Sequence, residues 1–173
     1  MSTPVRRAWA LTLLWIAVIF AESFVGSAHN TGSVLYPVLR FFFPHMAFAR
    51  MVQIHHFLRK GGHFFGYGVL SLTLYHSWWT TLAVRVAPVR RSWREMLRAW
   101  NWRAALLALA GTLAVAGLDE FHQSFDSGRT ASVSDVALDE LGGLLAQSWI
   151  VAGSSVALAR RKRKAETRAL TSS

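Results

Sequence analysis

The third apolar stretch of the chain reads AALLALAGTLAVAGL from Ala104 to Leu118 and contains no charged residue. Directly after it the sequence turns polar and reads DEFHQSFDSGRTASVSD from Asp119 to Asp135. A bilayer core about 30 Å thick is crossed by roughly 20 mostly apolar helical residues, because each residue rises about 1.5 Å. Taken from about Trp102 to Phe121, the stretch is therefore long enough to cross a membrane.

Three further stretches have the same character, which predicts an all-α polytopic membrane protein with four spans. Of the 173 residues 53% are apolar and 16% are charged, whereas soluble domains carry roughly 25% charged residues. We expect one transmembrane domain over residues 1–159 and a disordered, basic cytoplasmic tail over residues 160–173. The predicted spans are about Ala8–Gly26, Gly61–Val84, Trp102–Phe121 and Val133–Ala159.

The segment Val34–Met51 is aromatic and apolar, but it contains Pro37, Pro44, Arg40 and Arg50. Charges near the centre of the segment and two helix breakers argue against a fifth span. We expect an amphipathic segment between the first two spans, which lies in the membrane interface or covers helix ends. The sequence leaves open whether this segment is interfacial or re-entrant.

The basic residues are unevenly distributed between the two sides of the predicted membrane. With four spans, 14 of the 19 Lys and Arg residues lie on the side of the termini and 5 lie on the other side. The positive-inside rule then predicts that both termini are cytoplasmic. The apolar run after Arg6 and Arg7 is longer than that of a signal peptide, so we expect an uncleaved anchor. The net charge of +10 reflects topology and attraction to anionic lipids, not nucleic-acid binding.

This topology brings polar residues from three regions to the outer end of the spans. Lys60, His63 and Tyr67 recur at intervals of three and four, so they share one helix face. Ionisable groups in or beside a span need a partner or a role, and we therefore predict an outward-facing polar pocket. Glu22, near the outer end of the first span, joins this pocket or reaches headgroup water. Close packing of the helices is expected at small residues, namely Gly62, Gly66, Gly142, Gly143 and Ala146.

The chain resembles the VanZ-like family in the spacing of its polar residues. The pattern is Lys60-x-x-His63-x-x-x-Tyr67, then Asp119-Glu120-x-x-Gln123-x-x-x-x-x-Arg129-x-x-Ser132-x-x-Asp135, with Gly142. These small bacterial membrane proteins are named after a protein associated with low-level teicoplanin resistance. The resemblance extends from about Ala8 to Ala159 and implies action at the cell envelope from the inner membrane. It also implies Asn at position 139, where this chain has Asp139.

Two roles are open for the polar residues. They form a ligand-binding or catalytic site, or an ion-pair network that holds the second, third and fourth spans together. The catalytic candidates are His63, Asp119 and Glu120, because an imidazole beside a carboxylate suits acid–base chemistry. The candidate ligand-binding residues are Lys60, His63, Tyr67, Asp119, Glu120, Gln123, Arg129, Ser132 and Asp135.

No metal site and no cofactor is predicted. The absence of Cys excludes a disulfide scaffold, a Cys-based zinc site and a catalytic thiol. His63, His122, Asp119 and Glu120 have suitable donor atoms, but no recognised ligand spacing connects them. His55 and His56 are expected at the interface.

Three function classes remain. The first is a binding protein that engages a lipid-linked cell-wall component or the lipid anchor of a glycopeptide. The second is a membrane enzyme that acts on a lipid-linked or phosphorylated substrate, although no Ser nucleophile motif or phosphate loop is present. The third is a proton-coupled transporter, against which the lack of an internal repeat in four short helices argues.

Overall fold

The computed structural model describes residues 3–25, 28–84, 100–125 and 132–171. Within these ranges the chain is helical, without strands, which confirms the predicted all-α class. The described residues form five helices, α1 Thr3–Val25, α2 Ala28–Phe42, α3 Phe48–Val84, α4 Trp102–Gln123 and α5 Val133–Thr171.

Three of these helices are long and apolar enough to cross a membrane, over Thr3–Phe24, Trp102–Gln123 and Val133–Thr167. They contain the predicted first, third and fourth spans. The predicted second span lies in α3, which has sufficient length but is too polar to qualify among the described residues. The structure thus supports three membrane-spanning helices by length and composition.

Helix α3 lies in the centre of the bundle, where each of the other helices contacts it. Its polar side chains can therefore pair with other helices and need not face lipid. Two of its buried hydroxyls, those of Ser71 and Ser77, have partners on neighbouring helices. Thr12 and Ser77 share a hydrogen bond of 2.9 Å, and the Gln147 amide donates to Ser71 Oγ at 3.0 Å. A polar side chain that is paired in this way can be buried at little cost.

The outward faces of α1, α4 and α5 are apolar. Leu14, Leu106 and Trp149 are 63%, 60% and 72% exposed. Apolar surface of this extent would be unfavourable in water. It is consistent with contact with lipid tails.

Close packing of α3 and α5 depends on Gly142. A Cβ atom at this position would collide with the backbone carbonyl of Phe64, and the backbone of Gly142 also lies against Gly68. Gly142 and Gly143 therefore pack as predicted, but Gly62 and Gly66 do not. A Cβ at either of these two positions meets nothing within 4 Å, because both face a groove that is described below.

The second predicted helix begins earlier than the sequence indicated. The start was expected near Gly61, whereas α3 begins at Phe48. No proline or glycine lies between Phe48 and Lys60, so nothing in the chain stops the helix there.

The predicted amphipathic segment Val34–Met51 is divided between two helices. Helix α2 continues through Pro37, and Pro44 lies in the break before α3. The two predicted breakers thus differ in position: Pro37 lies inside a helix, where it removes one backbone hydrogen bond, and Pro44 lies outside the helices.

Helix α5 continues into the basic tail and extends to Thr171. The predicted disorder of residues 160–173 stays a prediction. Arg and Lys make up half of residues 160–171, which also contain two Ala and one Glu. These residues favour helix, and extending an existing helix needs no new nucleus.

Candidate functional site

Polar side chains from α3, α4 and α5 meet at one end of the bundle. α4 ends and α5 begins at this level, and α3 passes between them. We call this set the polar cluster: Lys60, His63, Tyr67, Asp119, Glu120, Gln123, Ser132, Asp135 and Asp139. The structure thus brings together every candidate site residue that it describes. Arg129, the remaining candidate, lies outside the described residues.

Asp135 joins α3 to the start of α5. Its carboxylate accepts a hydrogen bond from Lys60 Nζ at 2.8 Å, and Arg59 Nη2 lies 3.9 Å from its other oxygen. Asp135 lies in the first turn of α5, where the helix dipole also favours a negative charge. The Asp135 carboxylate therefore interacts with two cations and with the positive end of the α5 dipole.

Asp119 is the most enclosed acid of the polar cluster, with 1% of its surface exposed. Its Oδ2 atom accepts from the Tyr67 hydroxyl at 3.0 Å and from Gln123 Nε2 at 3.0 Å. The Gln123 amide also donates to Ser23 Oγ on α1, at 2.8 Å. This chain of hydrogen bonds connects α1, α3 and α4.

Glu120 closes the connection between α4 and α5. Its Oε1 atom accepts the backbone N–H of Ser132 at 2.6 Å, just before α5 begins. The first N–H groups of a helix have no partner within the helix, so a carboxylate here acts as a cap supplied from another helix. Glu120 therefore has a structural role in this arrangement.

His63 pairs with Asp139, which the sequence marked only as a departure from a family pattern. The distance from His63 Nδ1 to Asp139 Oδ2 is 3.6 Å, and Asp139 is 4% exposed. The imidazole also stacks on Tyr67, with ring centroids 6.1 Å apart. The sequence reasoning had instead assigned His63 to Asp119 or Glu120. Asp139 lies one helical turn after Asp135, which is the signal that connects it with the polar cluster.

The polar cluster itself leaves almost no space. A cavity of about 10 Å³ remains between residues that include Lys60, His63 and Glu120, and this is enough for roughly one water molecule. The side chains of the polar cluster are therefore engaged mainly with one another.

A larger space, which we call the groove, lies beside the polar cluster and between α1, α2 and α3. Its volume is about 260 Å³, and it is partly open to the outside of the bundle. His63 and Tyr67 belong to both the polar cluster and the groove wall. The groove is lined by Ile19, Glu22, Ser23, Leu35, His55, Leu58, Arg59, Gly62, His63, Gly66 and Tyr67.

Arg59 is a site residue that the sequence reasoning missed. It lines both the groove and the small cavity. The sequence pattern instead selected the next residue, Lys60, which lies on a different face of the helix. The signal for Arg59 was present, because His55, Arg59, Gly62 and Gly66 follow one another at intervals of three and four residues.

Other candidates from the sequence lie at the edge of this site. Glu22 is an exposed residue in the groove lining, and His55 lines the groove while its ring packs on Tyr36. His122 packs against Phe24 on α1, with ring centroids 6.2 Å apart. In the described part of the chain, no group of three or more His, Asp or Glu residues is arranged to hold a metal ion.

A comparison with known families finds one match. The family model described as VanZ/LLP1 matches residues 8–152, a range that includes the groove and the polar cluster. No curated protein and no solved structure matches the chain.

Proposed function

Since the chain belongs to the VanZ/LLP1 family, we propose that it acts at the bacterial cell envelope and binds a lipid-linked or lipidated ligand in the groove. The observation that carries this proposal is the groove itself, a space of about 260 Å³. One wall carries Arg59 and His63, and the opposite wall carries the apolar side chains of Ile19 and Leu35. A groove with both polar and apolar walls fits an amphiphile, because the walls can contact its headgroup and its acyl chain.

The proposed location is the inner membrane, with four spans, cytoplasmic termini and the groove on the outer side. Helix α3 provides the remaining span, which is the second along the chain. Its 37 residues correspond to about 55 Å of helix, and some of its polar side chains, such as Ser71 and Ser77, are paired inside the bundle. The uneven distribution of Lys and Arg supports the orientation.

The polar cluster serves mainly to hold the groove in shape. Its members connect α3, α4 and α5, as in the bond from Lys60 to Asp135, and Gln123 also bonds to Ser23 on α1. The small cavity between them has no room for a ligand group. Of the predicted ligand-binding residues, His63 and Tyr67 line the groove and are proposed to touch the ligand.

The proposed ligand is a lipid-linked cell-wall component or a glycopeptide with an acyl chain, such as teicoplanin. The family resemblance suggests this class, and the open side of the groove would allow an acyl chain to lie against apolar side chains. Leu58 in the groove lining is 54% exposed. Contact with an acyl chain would remove such surface from water or headgroups.

The experiment is a binding assay on the full-length chain in detergent, with two probes. These are teicoplanin and an undecaprenyl-linked peptidoglycan precursor. The variant Gly62→Leu fills the groove without a backbone clash, and Gly61→Leu is its matched control because Gly61 also meets no atom within 4 Å but lies outside the groove lining.

We expect at least one probe to bind the natural chain and Gly61→Leu, and to bind Gly62→Leu at least about ten-fold more weakly, since leucine occupies the site. Equal binding to both variants, or no binding of either probe to the natural chain, would contradict the proposed binding function.

A second candidate function is catalysis, and the pairing of His63 with Asp139 favours it. A carboxylate at Nδ1 orients an imidazole and leaves Nε2 as the basic nitrogen. Turnover of the undecaprenyl-linked precursor by the purified chain, lost in His63→Gln and reduced in Asp139→Asn, would establish an enzyme. If the natural chain shows no turnover and Asp139→Asn binds the probe unchanged, catalysis is excluded for this substrate and only the binding function is supported.

A further inference from the structure

Arg59 is incompletely paired for a guanidinium. Its Nη2 atom lies 3.9 Å from Asp135, which is too far for a hydrogen bond. Its Nη1 atom is enclosed and has no hydrogen-bond partner within the described ranges. Enclosing a charged donor without an acceptor is unfavourable. An acceptor that enters the groove would therefore stabilise this side chain.

Arg59 lies between two spaces that differ in charge. Glu120 and Asp135 line the small cavity with it, whereas among the described residues that line the groove Arg59 is the one Lys or Arg side chain. Asp135 is its only ion-pair partner among the described residues, and Lys60 takes the same carboxylate at the shorter distance of 2.8 Å. His63 faces Asp139. The negative group in the groove lining is Glu22, which is exposed and belongs to α1 on the opposite wall.

We propose that Arg59 binds the phosphate group of an anionic amphiphile whose chain lies in the groove. This inference rests on the proposed function and names the chemical class of the ligand. A guanidinium offers two parallel N–H donors that match two phosphate oxygens. Because Nη1 is enclosed, the guanidinium turns toward the groove when the phosphate binds. About a quarter of the Arg59 side chain is exposed before any such turn.

The glycines of α3 define the path of the chain. Gly62 and Gly66 lie one and two turns after Arg59 on the same helix face, and both line the groove. Their missing side chains create the space beside the helix backbone. A phosphate at Arg59 therefore places the attached chain along this glycine track, in the direction of Ile19 and Tyr67.

The test compares two lipids with the same acyl chains, phosphatidic acid and diacylglycerol, which differ in the phosphate. Their retention by the detergent-solubilised full-length chain is measured by native mass spectrometry. The variants are Arg59→Gln, Arg59→Lys and Glu22→Gln. The matched control is Arg50→Gln, which removes an exposed arginine of α3 that lies outside the groove lining.

We expect the natural chain and Arg50→Gln to prefer phosphatidic acid over diacylglycerol by about ten-fold or more, as a charge-assisted bidentate contact implies. Arg59→Gln should abolish this preference, and Arg59→Lys should restore part of it. Glu22→Gln should increase the preference, because it removes a negative charge that faces the phosphate.

Competition with inorganic phosphate tests whether the site recognises a free phosphate ion or the phosphate of a lipid. Displacement of phosphatidic acid by millimolar phosphate supports a site that recognises the phosphate alone. Retention of the lipid against phosphate, with loss in Gly62→Leu, supports a lipid occupant.

The proposal is overturned if the natural chain retains both lipids equally, or if Arg59→Gln keeps the preference. Equal retention that is lost in Gly62→Leu would still leave the proposed binding function intact. If neither lipid is retained and the two probes of the binding assay also fail, the proposed function fails as well.

Discussion

The Tyr67 hydroxyl donates to Asp119 Oδ2 at 3.0 Å, and each residue is 1% exposed. This hydrogen bond connects the middle of α3 with the end of α4. It lies where the polar cluster and the groove share a wall. Its removal therefore tests whether the polar cluster holds the groove together.

We expect Tyr67→Phe and Asp119→Ala each to lower the free energy of unfolding, with a coupling between them of about 1 kcal/mol, the range found for hydrogen bonds between membrane helices. A double-mutant cycle measured by unfolding in mixed micelles checks this. Strictly additive effects would mean that the contact does not contribute to stability.

The Lys60–Asp135 pair should tolerate exchange of its charges in part. We expect Lys60→Asp and Asp135→Lys each to be destabilising by about 1 kcal/mol, since both side chains are partly exposed. The double exchange should recover some of this loss, but not all, because a lysine is unfavourable in the first turn of α5. Thermal unfolding of the four proteins provides the measurement, and a double exchange less stable than either single variant would contradict the pairing.

Gly142 lies at a contact between two helices, whereas Gly61 faces open space. The same substitution can therefore be compared at both positions. Gly142→Ala should cost about 1–3 kcal/mol or more, because the methyl group would meet the carbonyl of Phe64 and push α5 from α3. Gly61→Ala should be neutral or stabilise the chain by up to about 1 kcal/mol, since a Cβ there meets no atom. Unfolding of the two variants side by side is the measurement, and similar effects would show that the helices are not in contact at Gly142.

The proposed orientation can be mapped with single cysteines, because the natural chain has none. A membrane-impermeant maleimide should label Phe48→Cys and Phe125→Cys in spheroplasts. It should label Trp100→Cys and Ala165→Cys only after the membrane is permeabilised. Labelling of Phe48→Cys and Trp100→Cys from the same side would show that α3 does not cross the membrane.

The sequence was sufficient for features that follow from apolar length and helix spacing. The runs around Ala104–Leu118 and the other two apolar spans were predicted from hydrophobicity alone, and all three are confirmed as helices of spanning length. The meeting of Lys60, Asp119 and Asp135 followed from the predicted topology, because the second predicted span begins, the third ends and the fourth begins at the same membrane surface.

The sequence was not sufficient for features that depend on which side of a helix faces which neighbour. Gly62 and Gly66 have the spacing of packing glycines, but the bundle turns them toward a groove. Arg59 and Lys60 are adjacent in sequence, yet only Lys60 bonds closely to Asp135. The partner of His63 depends in the same way on the rotation of α5, which one sequence does not determine.

The central position of α3 has a consequence for biogenesis. A helix with this many hydroxyls and ionisable groups is a poor substrate for insertion on its own, and the bonds to Ser71, Ser77 and Tyr67 come from helices before and after it in the chain. During synthesis α1 is available to α3 at once, whereas α4 and α5 emerge later. In the proposed four-span arrangement, stable residence of α3 in the bilayer therefore has to wait for the carboxyl-terminal half, and we expect a nascent chain halted before Trp102 to be exposed to quality-control proteases.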